Sequence, residues 1–283
     1  MNEIGLYGGS GFIGTQFQSM IERQSNYNNS QIHMIPHRGS SEEIKIALEK
    51  LDALSNSNTT TSLLYLAENN EITKADKLSS DYIENNVERL KFIISNTRSK
   101  LIYASSVSIY GDSSEIPHSP LEKLNINNTY SKSKFECEKL VMQAGGIVAR
   151  LSNIYGPGMS KKNIISDILK QIKVKGIDSI NIIDGSPIRD MIHISDVTSC
   201  LLSMTKIQKK GIYNIATGTS ISMKDLALMI LKVANFEEYK LVELKHNKTA
   251  SCISLDISNT KKTFTWSPSI SLQDGLKELV YNN

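Results

Sequence analysis

The sequence has 283 residues, of which 40% are apolar and 22% charged, as is ordinary for a soluble globular protein. This length suffices for one large α/β unit, or for a main domain with a smaller second one. The 32 basic and 29 acidic residues leave a formal net charge of +3. That charge is too small to indicate nucleic-acid binding, and no basic run is interleaved with aromatic residues.

The sequence also argues against a metal site, a membrane segment and secretion. Its three cysteines are widely spaced without a CxxC pair, and its five histidines show no ligand spacing such as HxxxH. We therefore expect free thiols and no metal. No apolar run approaches the roughly 18 residues of a membrane helix, and a strand-like run follows the first residues without a signal peptide. We expect a cytoplasmic protein that binds neither membrane nor nucleic acid.

Short apolar runs alternate with amphipathic stretches from the start of the chain. The strand-like runs are "IGLYGG", "QIHMIP", "TSLLYLA", "KLIYASS" and "GIVARLSNIYG". Such alternation predicts βαβ units and a parallel sheet, an α/β fold. After about residue 156 the pattern loosens: "INIIDG" and "MIHIS" resemble short strands, and "GIYNIATG" a strand that returns to the sheet. The pattern of the last third of the chain therefore predicts sheet elements mixed with a smaller α/β layer.

The first βα junction carries a glycine motif, Gly8-x-x-Gly11-x-x-Gly14. Glycine permits a tight turn and lets the backbone approach a pyrophosphate, which the N–H groups at the start of the next helix also attract. We predict that these glycines, with Phe12 and Ile13, bind a dinucleotide. The alternative is a tight turn that needs glycine for steric reasons alone.

The residues after the second strand distinguish between the two nicotinamide dinucleotides. An acidic side chain about 20 positions after the glycines would bind the adenosine ribose hydroxyls of NAD. The chain has "PHRGSS" there instead, and a guanidinium suits a 2′-phosphate because it donates two parallel hydrogen bonds. We predict that His37 and Arg38 bind the cofactor, with Ser40 or Ser41 as added donors, and that NADP(H) is favoured over NAD(H). The alternative for Arg38 is a solvated loop charge.

A hydroxyl-rich strand end and a Tyr-Lys pair follow further along the chain. Ser106 ends the run "KLIYASS", and Tyr130 and Lys134 share one helix face because they are four residues apart. A tyrosine hydroxyl, with an ordinary pKa of about 10, is a poor base near neutrality, whereas an adjacent ammonium and an oxidised nicotinamide favour the phenolate. These residues predict hydride transfer at a carbinol or ketone carbon, with Tyr130 moving the proton. The alternative is a chance YxxxK at a solvated helix start.

Together these motifs resemble the extended short-chain dehydrogenase/reductase family, in its branch of nucleotide-sugar epimerases, dehydratases and reductases. "YGGSGFIG" is similar to the glycine motif of that family, "YASSVSIYG" to its serine strand and "YSKSK" to its Tyr-Lys pair. "ARLSNIYGPG" is similar to the strand that reaches the substrate, and "SPIRDMIHISDV" to the segment that grips the nucleotide. The resemblance runs along nearly the whole chain.

The resemblance implies roles for individual residues and a substrate class. The substrate it implies is a nucleoside-diphosphate sugar, bound by Ser106, Asn153 and Arg189. It also implies a homodimer through the helices "YIENNVERLKFI" and "SKFECEKLVM", unless their apolar residues face the sheet. The catalytic residues are Ser106, Tyr130 and Lys134, and the cofactor contacts beyond the glycine motif and loop are Leu66, Ala67, Asn86, Tyr130 and Lys134.

For the fold, the resemblance implies a Rossmann-like doubly wound parallel sheet that holds the dinucleotide. A smaller carboxy-terminal α/β domain would close over the sugar nucleotide. We assign residues 1–155, with about 190–218, to the first domain, and residues 156–189 and 219–283 to the second.

The chain departs from the family pattern at three places. Val107 and Ser108 stand where the 4,6-dehydratases carry an Asp-Glu pair for elimination of water, so dehydration is not expected. The third strand of the family is hard to find in the short stretch before "LLYLA". Ala67-Glu68 stands where a pair of small residues is usual.

Three functions remain open. The one we favour is NADPH-dependent reduction of a 4-keto-6-deoxy nucleotide sugar, for the biosynthesis of deoxysugars in surface polysaccharides such as O-antigen. The second is a 4-epimerase, which holds NAD and returns the hydride to the other face of the sugar, and the Ser-Tyr-Lys set serves it equally well. The third is a non-catalytic cofactor-binding regulator, which has no reason to keep Ser106, Tyr130 and Lys134 together.

Overall fold

The computed structural model describes residues 1–23, 29–67, 79–111, 113–245 and 251–281. The strands among these residues are, in chain order, β1 (Asn2–Tyr7), β2 (Ser30–Ile35), β3 (Thr60–Tyr65), β4 (Lys100–Ser106), β5 (Ser113–His118), β6 (Ile147–Leu151), β7 (Asn153–Tyr155), β8 (Ser179–Ile182), β9 (Ile188–His193), β10 (Gly211–Ile215), β11 (Ser220–Ser222), β12 (Lys240–Glu243) and β13 (Cys252–Leu255). The helices are α1 (Phe12–Arg23), α2 (Ser41–Ala53), α3 (Ser79–Ser95), α4 (Thr129–Gln143), α5 (Ile164–Gln171), α6 (Ile194–Lys206), α7 (Met223–Val233), α8 (Ser258–Phe264) and α9 (Leu272–Tyr281).

Six of these strands form an all-parallel central sheet in the order β10-β6-β4-β3-β1-β2. From β1 the chain runs outward to β2, then crosses back to β3 on the other side of β1. This reversal is the doubly wound arrangement, so the predicted Rossmann-like fold is confirmed. In open α/β sheets, ligands bind outside the carboxyl ends of the strands at such a reversal.

Helices cover both faces of the central sheet, because strand side chains point alternately to one face and the other. On one face, Leu6 of β1 packs in a core with Phe17 of α1 and Val197 of α6. On the opposite face, Leu63 of β3 packs with Leu90 of α3. The sheet is therefore buried on both sides, as a parallel sheet requires.

Helices α3 and α4 are the two helices implied for a homodimer contact. Their apolar residues Leu90, Ile93, Cys137 and Val141 are buried in the core against the sheet. These four side chains therefore stabilise the monomer and are not available to a second copy. The homodimer stays a prediction.

The stretch between β2 and β3 is short and helical. Residues 36–59 contain α2 and an isolated bridge between Asn56 and Thr59, but no further strand. The run "LLYLA" therefore supplies β3 of this chain, and β2 is the outer strand of the sheet. The third strand of the family pattern, which the sequence did not show, is absent here.

A second group of strands lies outside the central sheet. Its order is β11-β9-β13-β5, with β7 paired to β9, while β8 and β12 form a parallel pair. Helices α5, α7 and α9 share a separate apolar core that includes Ile168, Leu226 and Leu276. Because β5 precedes α4 in the chain, both predicted domains contribute to the second sheet, and the domain boundaries stay a prediction. None of the described helices is long and apolar enough to cross a membrane.

A capping box begins α2. The Ser40 hydroxyl accepts from the Glu43 backbone N–H at 3.2 Å, and the Glu43 carboxylate accepts from the Ser40 backbone N–H at 2.7 Å. Each bond satisfies a donor that the first helical turn leaves unpaired. The box thereby fixes the loop between β2 and α2, which carries His37 and Arg38.

We expect Ser40→Ala to lower the free energy of unfolding by about 1 kcal/mol, because it removes the cap of α2. Urea denaturation with an unchanged m-value is the measurement. Ser41→Ala is the matched control, since Ser41 is exposed and lies inside the helix. An equal loss of stability in both variants would contradict the capping role.

Candidate active site

A cleft of about 810 Å³ opens at the carboxyl ends of β1 and β3. Ten of the twelve residues predicted to bind the cofactor line this cleft, and the other two, Tyr130 and Lys134, lie on α4. The structure thus brings the glycine turn, the loop after β2, the end of β3 and one face of α3 around a single cavity. The ten lining residues are Gly8, Gly11, Phe12, Ile13, Gly14, His37, Arg38, Leu66, Ala67 and Asn86.

The three glycines of the turn have different physical reasons. Gly8 has a φ of +100°, and a Cβ there would lie 2.6 Å from the Ala67 backbone nitrogen. A Cβ on Gly14 would lie 2.5 Å from the Gly8 carbonyl oxygen, so packing alone requires both glycines. A Cβ on Gly11 would meet only that oxygen, at 3.4 Å, which is an ordinary contact. Packing therefore does not require a glycine at position 11, whereas close approach of a ligand to the backbone there would.

The amino terminus of α1 faces the same cleft. Its first residues, Phe12 and Ile13, line the cavity together with Gly11. The first turn of a helix leaves backbone N–H groups unpaired and carries the positive end of the helix dipole. This part of the cleft therefore suits an anion such as a pyrophosphate.

The loop after β2 makes one end of the cleft basic. Arg38 is exposed there, and the described lining of the cleft contains no Asp or Glu. The Ser40 hydroxyl, which the sequence offered as an added donor, is engaged in the cap of α2. Glu68, which follows Ala67 in the sequence, lies outside the described residues.

Ser106 ends β4 at the same edge of the sheet. Its hydroxyl accepts from the backbone N–H of Ser108 at 3.2 Å and so begins a short 3₁₀ helix, Val107–Tyr110. The Ser131 hydroxyl, in the first turn of α4, donates to the carbonyl oxygen of Ser108 at 3.0 Å. These bonds connect the end of β4 to the residue that follows Tyr130.

Lys134 is held beside Tyr130 on one face of α4. Its Nζ lies 5.8 Å from the centroid of the Tyr130 ring, 4.9 Å from that of the Tyr103 ring, and donates to the Ala104 carbonyl at 2.8 Å. Aromatic faces and a carbonyl oxygen both favour the charged amine. Since only 4% of Lys134 is exposed, its ammonium has a fixed position next to the phenol. The catalytic roles of both residues stay a prediction.

Asn86 connects the cleft to α4. Its side-chain amide donates to the Ser133 hydroxyl at 3.0 Å, and Ser133 is buried directly before Lys134. Because Asn86 also lines the cleft, this bond fixes the cavity wall relative to the Tyr-Lys pair.

A buried ion pair lies behind the end of β4. Arg150 of β6 donates to the Glu138 carboxylate of α4 through Nε at 3.0 Å and Nη2 at 2.7 Å, and both side chains are 2% exposed. Glu138 also accepts from the Ser105 hydroxyl at 2.5 Å, and Arg150 donates to the Tyr110 hydroxyl at 2.9 Å. Burial opposes the charge of Arg150, but the hydrogen bonds and charge of Glu138 outweigh burial and raise the pKa of the guanidinium. The pair thus joins β4, α4 and β6 beneath Ser106.

The two residues predicted to contact the substrate, besides Ser106, lie on the paired strands β7 and β9. The Asn153 side-chain amide donates to the Asp190 carbonyl at 3.4 Å. The Arg189 guanidinium donates to the carbonyl oxygens of Ile188 at 2.8 Å and Ser251 at 2.9 Å. It is therefore engaged with backbone here, and its grip on a diphosphate stays a prediction.

The sequence analysis did not predict four residues that lie in or beside the candidate site. Tyr7, Tyr65 and Arg89 also line the cleft, and Tyr103 contacts the predicted catalytic lysine. The sequence does contain a signal for the tyrosines, because "GLY" ends β1, "LLY" ends β3 and "LIY" lies inside β4, and Tyr7, Tyr65 and Tyr103 pair in register. Arg89 follows Asn86 by three residues and so shares its helix face.

A family model, "NAD dependent epimerase/dehydratase family", matches residues 4–216 of the chain. The chain belongs to this family. The matched range contains the glycine turn, Ser106, the Tyr-Lys pair of α4 and Arg189. The predicted resemblance to extended short-chain dehydrogenases/reductases is confirmed.

Relatives of this epimerase/dehydratase family member have different activities. The dTDP-4-dehydro-6-deoxyglucose reductase of Escherichia coli is 26% identical over 99% of this chain and 96% of its own length. The UDP-glucose 4-epimerase of Dictyostelium discoideum is 25% identical over 94% of this chain and 91% of its own length. Among solved structures, RMD from Pseudomonas aeruginosa complexed with NADPH has a TM-score of 0.85 at 20% identity, covering 100% of this chain and 98% of that chain. The protein is an enzyme of a family whose members act on nucleotide sugars.

Proposed function

We propose that the protein reduces a 4-keto-6-deoxy nucleotide sugar with NADPH. The observation that carries the proposal is the charge of the cofactor cleft, whose described lining contains Arg38 and Arg89 but no carboxylate. Such a lining suits the added 2′-phosphate of NADP(H) better than the ribose hydroxyls of NAD. The relatives agree in part, since one is a dTDP-4-dehydro-6-deoxyglucose reductase and RMD is complexed with NADPH.

The residues present fit a nicotinamide dinucleotide along the whole cleft. Gly11, whose Cβ position is open, and the amino terminus of α1 would hold the diphosphate. Arg38 would hold the 2′-phosphate, and Lys134 and Tyr130 would contact the nicotinamide end. When bound, NADPH would supply the hydride.

The side chains at the end of β4 and on α4 would manage the proton. Tyr130 would donate its hydroxyl proton to the C4 oxygen of the sugar, and the Ser106 hydroxyl would hydrogen-bond the same oxygen. The phenolate that remains is stabilised by the ammonium of Lys134, which the Ala104 carbonyl and the Tyr103 ring hold in place.

The 3₁₀ helix after Ser106 argues against dehydration. Val107 is buried, and the backbone N–H of Ser108 is bonded to the Ser106 hydroxyl. Neither side chain has a carboxyl group to remove or deliver the protons of an elimination. Reduction and epimerisation need no such group, because one phenol serves either reaction.

A second cleft, of about 540 Å³, would receive the nucleotide part of the substrate. Its lining contains Lys161 and Lys162, whose charges Asp167 and Asp184 offset, and the apolar Ile183, which is 68% exposed. The exposed apolar surface suits the face of a base, and the two lysines would have to turn toward the diphosphate. The cleft lies at the start of β9, which carries Arg189.

The reductase activity is tested by incubating the purified protein with NADPH and dTDP-4-dehydro-6-deoxyglucose. This sugar is chosen because the Escherichia coli relative is named as its reductase. We expect the absorbance of the reduced nicotinamide to fall in proportion to the sugar reduced. Unchanged NADPH in this assay, with interconversion of UDP-glucose and its C4 epimer in a parallel incubation with NAD, would overturn the reductase and support the 4-epimerase instead.

We expect Arg38→Ala to weaken NADPH binding by about 10-fold or more and NADH binding much less, because a charged hydrogen bond contributes about 1.5–3 kcal/mol. Fluorescence titration of both cofactors is the measurement. Arg98→Ala, which removes an exposed guanidinium outside the cleft, is the control. Equal losses for NADPH and NADH in the Arg38 variant would remove the argument for a 2′-phosphate.

A further inference from the structure

Arg89 is a cation that lines the cofactor cleft from α3, and the proposed function counts its charge but assigns it no contact. It is half-buried, and it forms no hydrogen bond or ion pair with any residue in the described ranges. A guanidinium that loses part of its hydration without gaining a partner is unfavourable. Its neighbour on the helix, Lys91, pairs instead with Glu88 at 2.8 Å on the exposed side. The position of Arg89 therefore suggests a partner that enters the cleft.

Tyr7 connects Arg89 with the loop after β2. Tyr7 and Arg89 line the same cleft, and the positive charge of Arg89 acts against the rise that burial causes in the pKa of the Tyr7 phenol. The Tyr7 hydroxyl donates to the His37 carbonyl at 3.4 Å, and the two rings meet edge to face at 6.2 Å. His37 directly precedes Arg38. Arg89 therefore lines the same cleft as the loop that carries the other arginine.

Asn86 marks the opposite direction on the same helix face. Three residues before Arg89, its amide donates to Ser133, which lies next to Lys134 on α4. One face of α3 thus carries an amide that bonds next to the predicted catalytic pair and, three residues on, a guanidinium that lines the same cleft as the loop after β2. A dinucleotide spanning the cleft would meet the guanidinium at its adenosine end.

We propose that Arg89 is a specificity-determining residue that grips the 2′-phosphate of NADP(H) together with Arg38. The inference rests on the proposed function in requiring that NADP(H) occupies the cleft, but not on the sugar that is reduced. A 2′-phosphate carries up to two negative charges and three terminal oxygens, so two guanidinium groups can each bind it through separate oxygens. Two cations and no described carboxylate in the lining match that charge. The diphosphate, by contrast, would lie at Gly11 and the amino terminus of α1.

The test measures binding of NADPH, NADH, 2′,5′-ADP and 5′-AMP to the full chain by calorimetry. We expect Arg89→Met to weaken NADPH and 2′,5′-ADP by about 10- to 100-fold, the effect of one charge-assisted contact. NADH and 5′-AMP should bind nearly as to the wild type. Arg89→Lys keeps the charge without the fork and should give an intermediate loss for the two 2′-phosphate ligands.

Arg98→Met is the matched control, because it removes an exposed guanidinium outside the cleft and should leave all four ligands unaffected. In the double variant with Arg38→Met, the losses should not add, because both groups bind one phosphate. Equal weakening of NADPH and NADH by Arg89→Met would place the guanidinium on a part shared by both cofactors and overturn the proposal. No weakening of NADPH would overturn it as well.

The failure of this inference is distinguishable from failure of the reductase. If Arg89→Met weakened 2′,5′-ADP binding but the wild-type protein reduced no sugar, the role of Arg89 would stand and the proposed reaction would be refuted. A protein that binds neither cofactor would refute both.

Discussion

Replacing Tyr130 by phenylalanine is expected to lower kcat by about 10²- to 10⁴-fold, the usual contribution of a positioned proton-transfer group. The change removes one hydroxyl and keeps the ring, so Lys134 retains the aromatic neighbour that now lies 5.8 Å from its Nζ. NADPH affinity should change little, because ten of the twelve predicted cofactor contacts line the cleft and are left intact, and the phenyl ring of residue 130 remains. Steady-state kinetics and a cofactor titration on the same preparation measure both quantities.

Tyr281→Phe is the control for this experiment. Tyr281 is 68% exposed at the end of α9, so removal of its hydroxyl should change neither kcat nor cofactor binding. If Tyr130→Phe retained the wild-type kcat, proton transfer by that phenol would be refuted, and Ser106 would become the first residue to test.

The largest effect on stability is expected from breaking the buried pair of Arg150 and Glu138. Glu138→Ala should lower the free energy of unfolding by about 3–5 kcal/mol, because it leaves the Arg150 guanidinium buried without its counter-ion. The Ser105 hydroxyl would also lose its acceptor. Urea denaturation of the variant and the wild type gives the difference directly.

Two variants make this stability experiment specific. The double change Glu138→Leu with Arg150→Met should recover much of the loss, since it removes both charges and keeps apolar volume. Lys91→Met breaks the exposed pair with Glu88, which is 2.8 Å long, and should cost about 1 kcal/mol or less. A Glu138→Ala loss as small as that of Lys91→Met would contradict the structural importance of the buried pair.

The sequence predicted those parts of the fold and site that depend on local spacing. The glycine turn is contained in seven residues, and Tyr130 and Lys134 are four apart, so one turn and one helix determine their geometry. The alternation of apolar runs and helical stretches likewise predicted the parallel sheet. Each of these inferences needs only neighbours along the chain.

The features that sequence reasoning missed depend on contacts between distant segments. Arg150 and Glu138 meet because β6 lies beside β4 while α4 packs on that face, and no spacing rule fixes that meeting. β5 likewise pairs with β13, more than a hundred residues later in the chain. The bond from Arg189 to the carbonyl oxygen of Ser251 also joins distant segments, while its grip on a diphosphate stays a prediction.

Transfer of deuterium from NADPH, labelled at the hydride position of the nicotinamide, tests the central claim most directly. The wild-type protein is incubated with the labelled cofactor and the 4-keto-6-deoxy nucleotide sugar, and the sugar product is analysed by mass spectrometry and NMR. Reduction predicts deuterium bound to C4 of the sugar, with an equal amount of NADP⁺ formed. A converted sugar without deuterium, with the labelled NADPH left intact, would contradict the account.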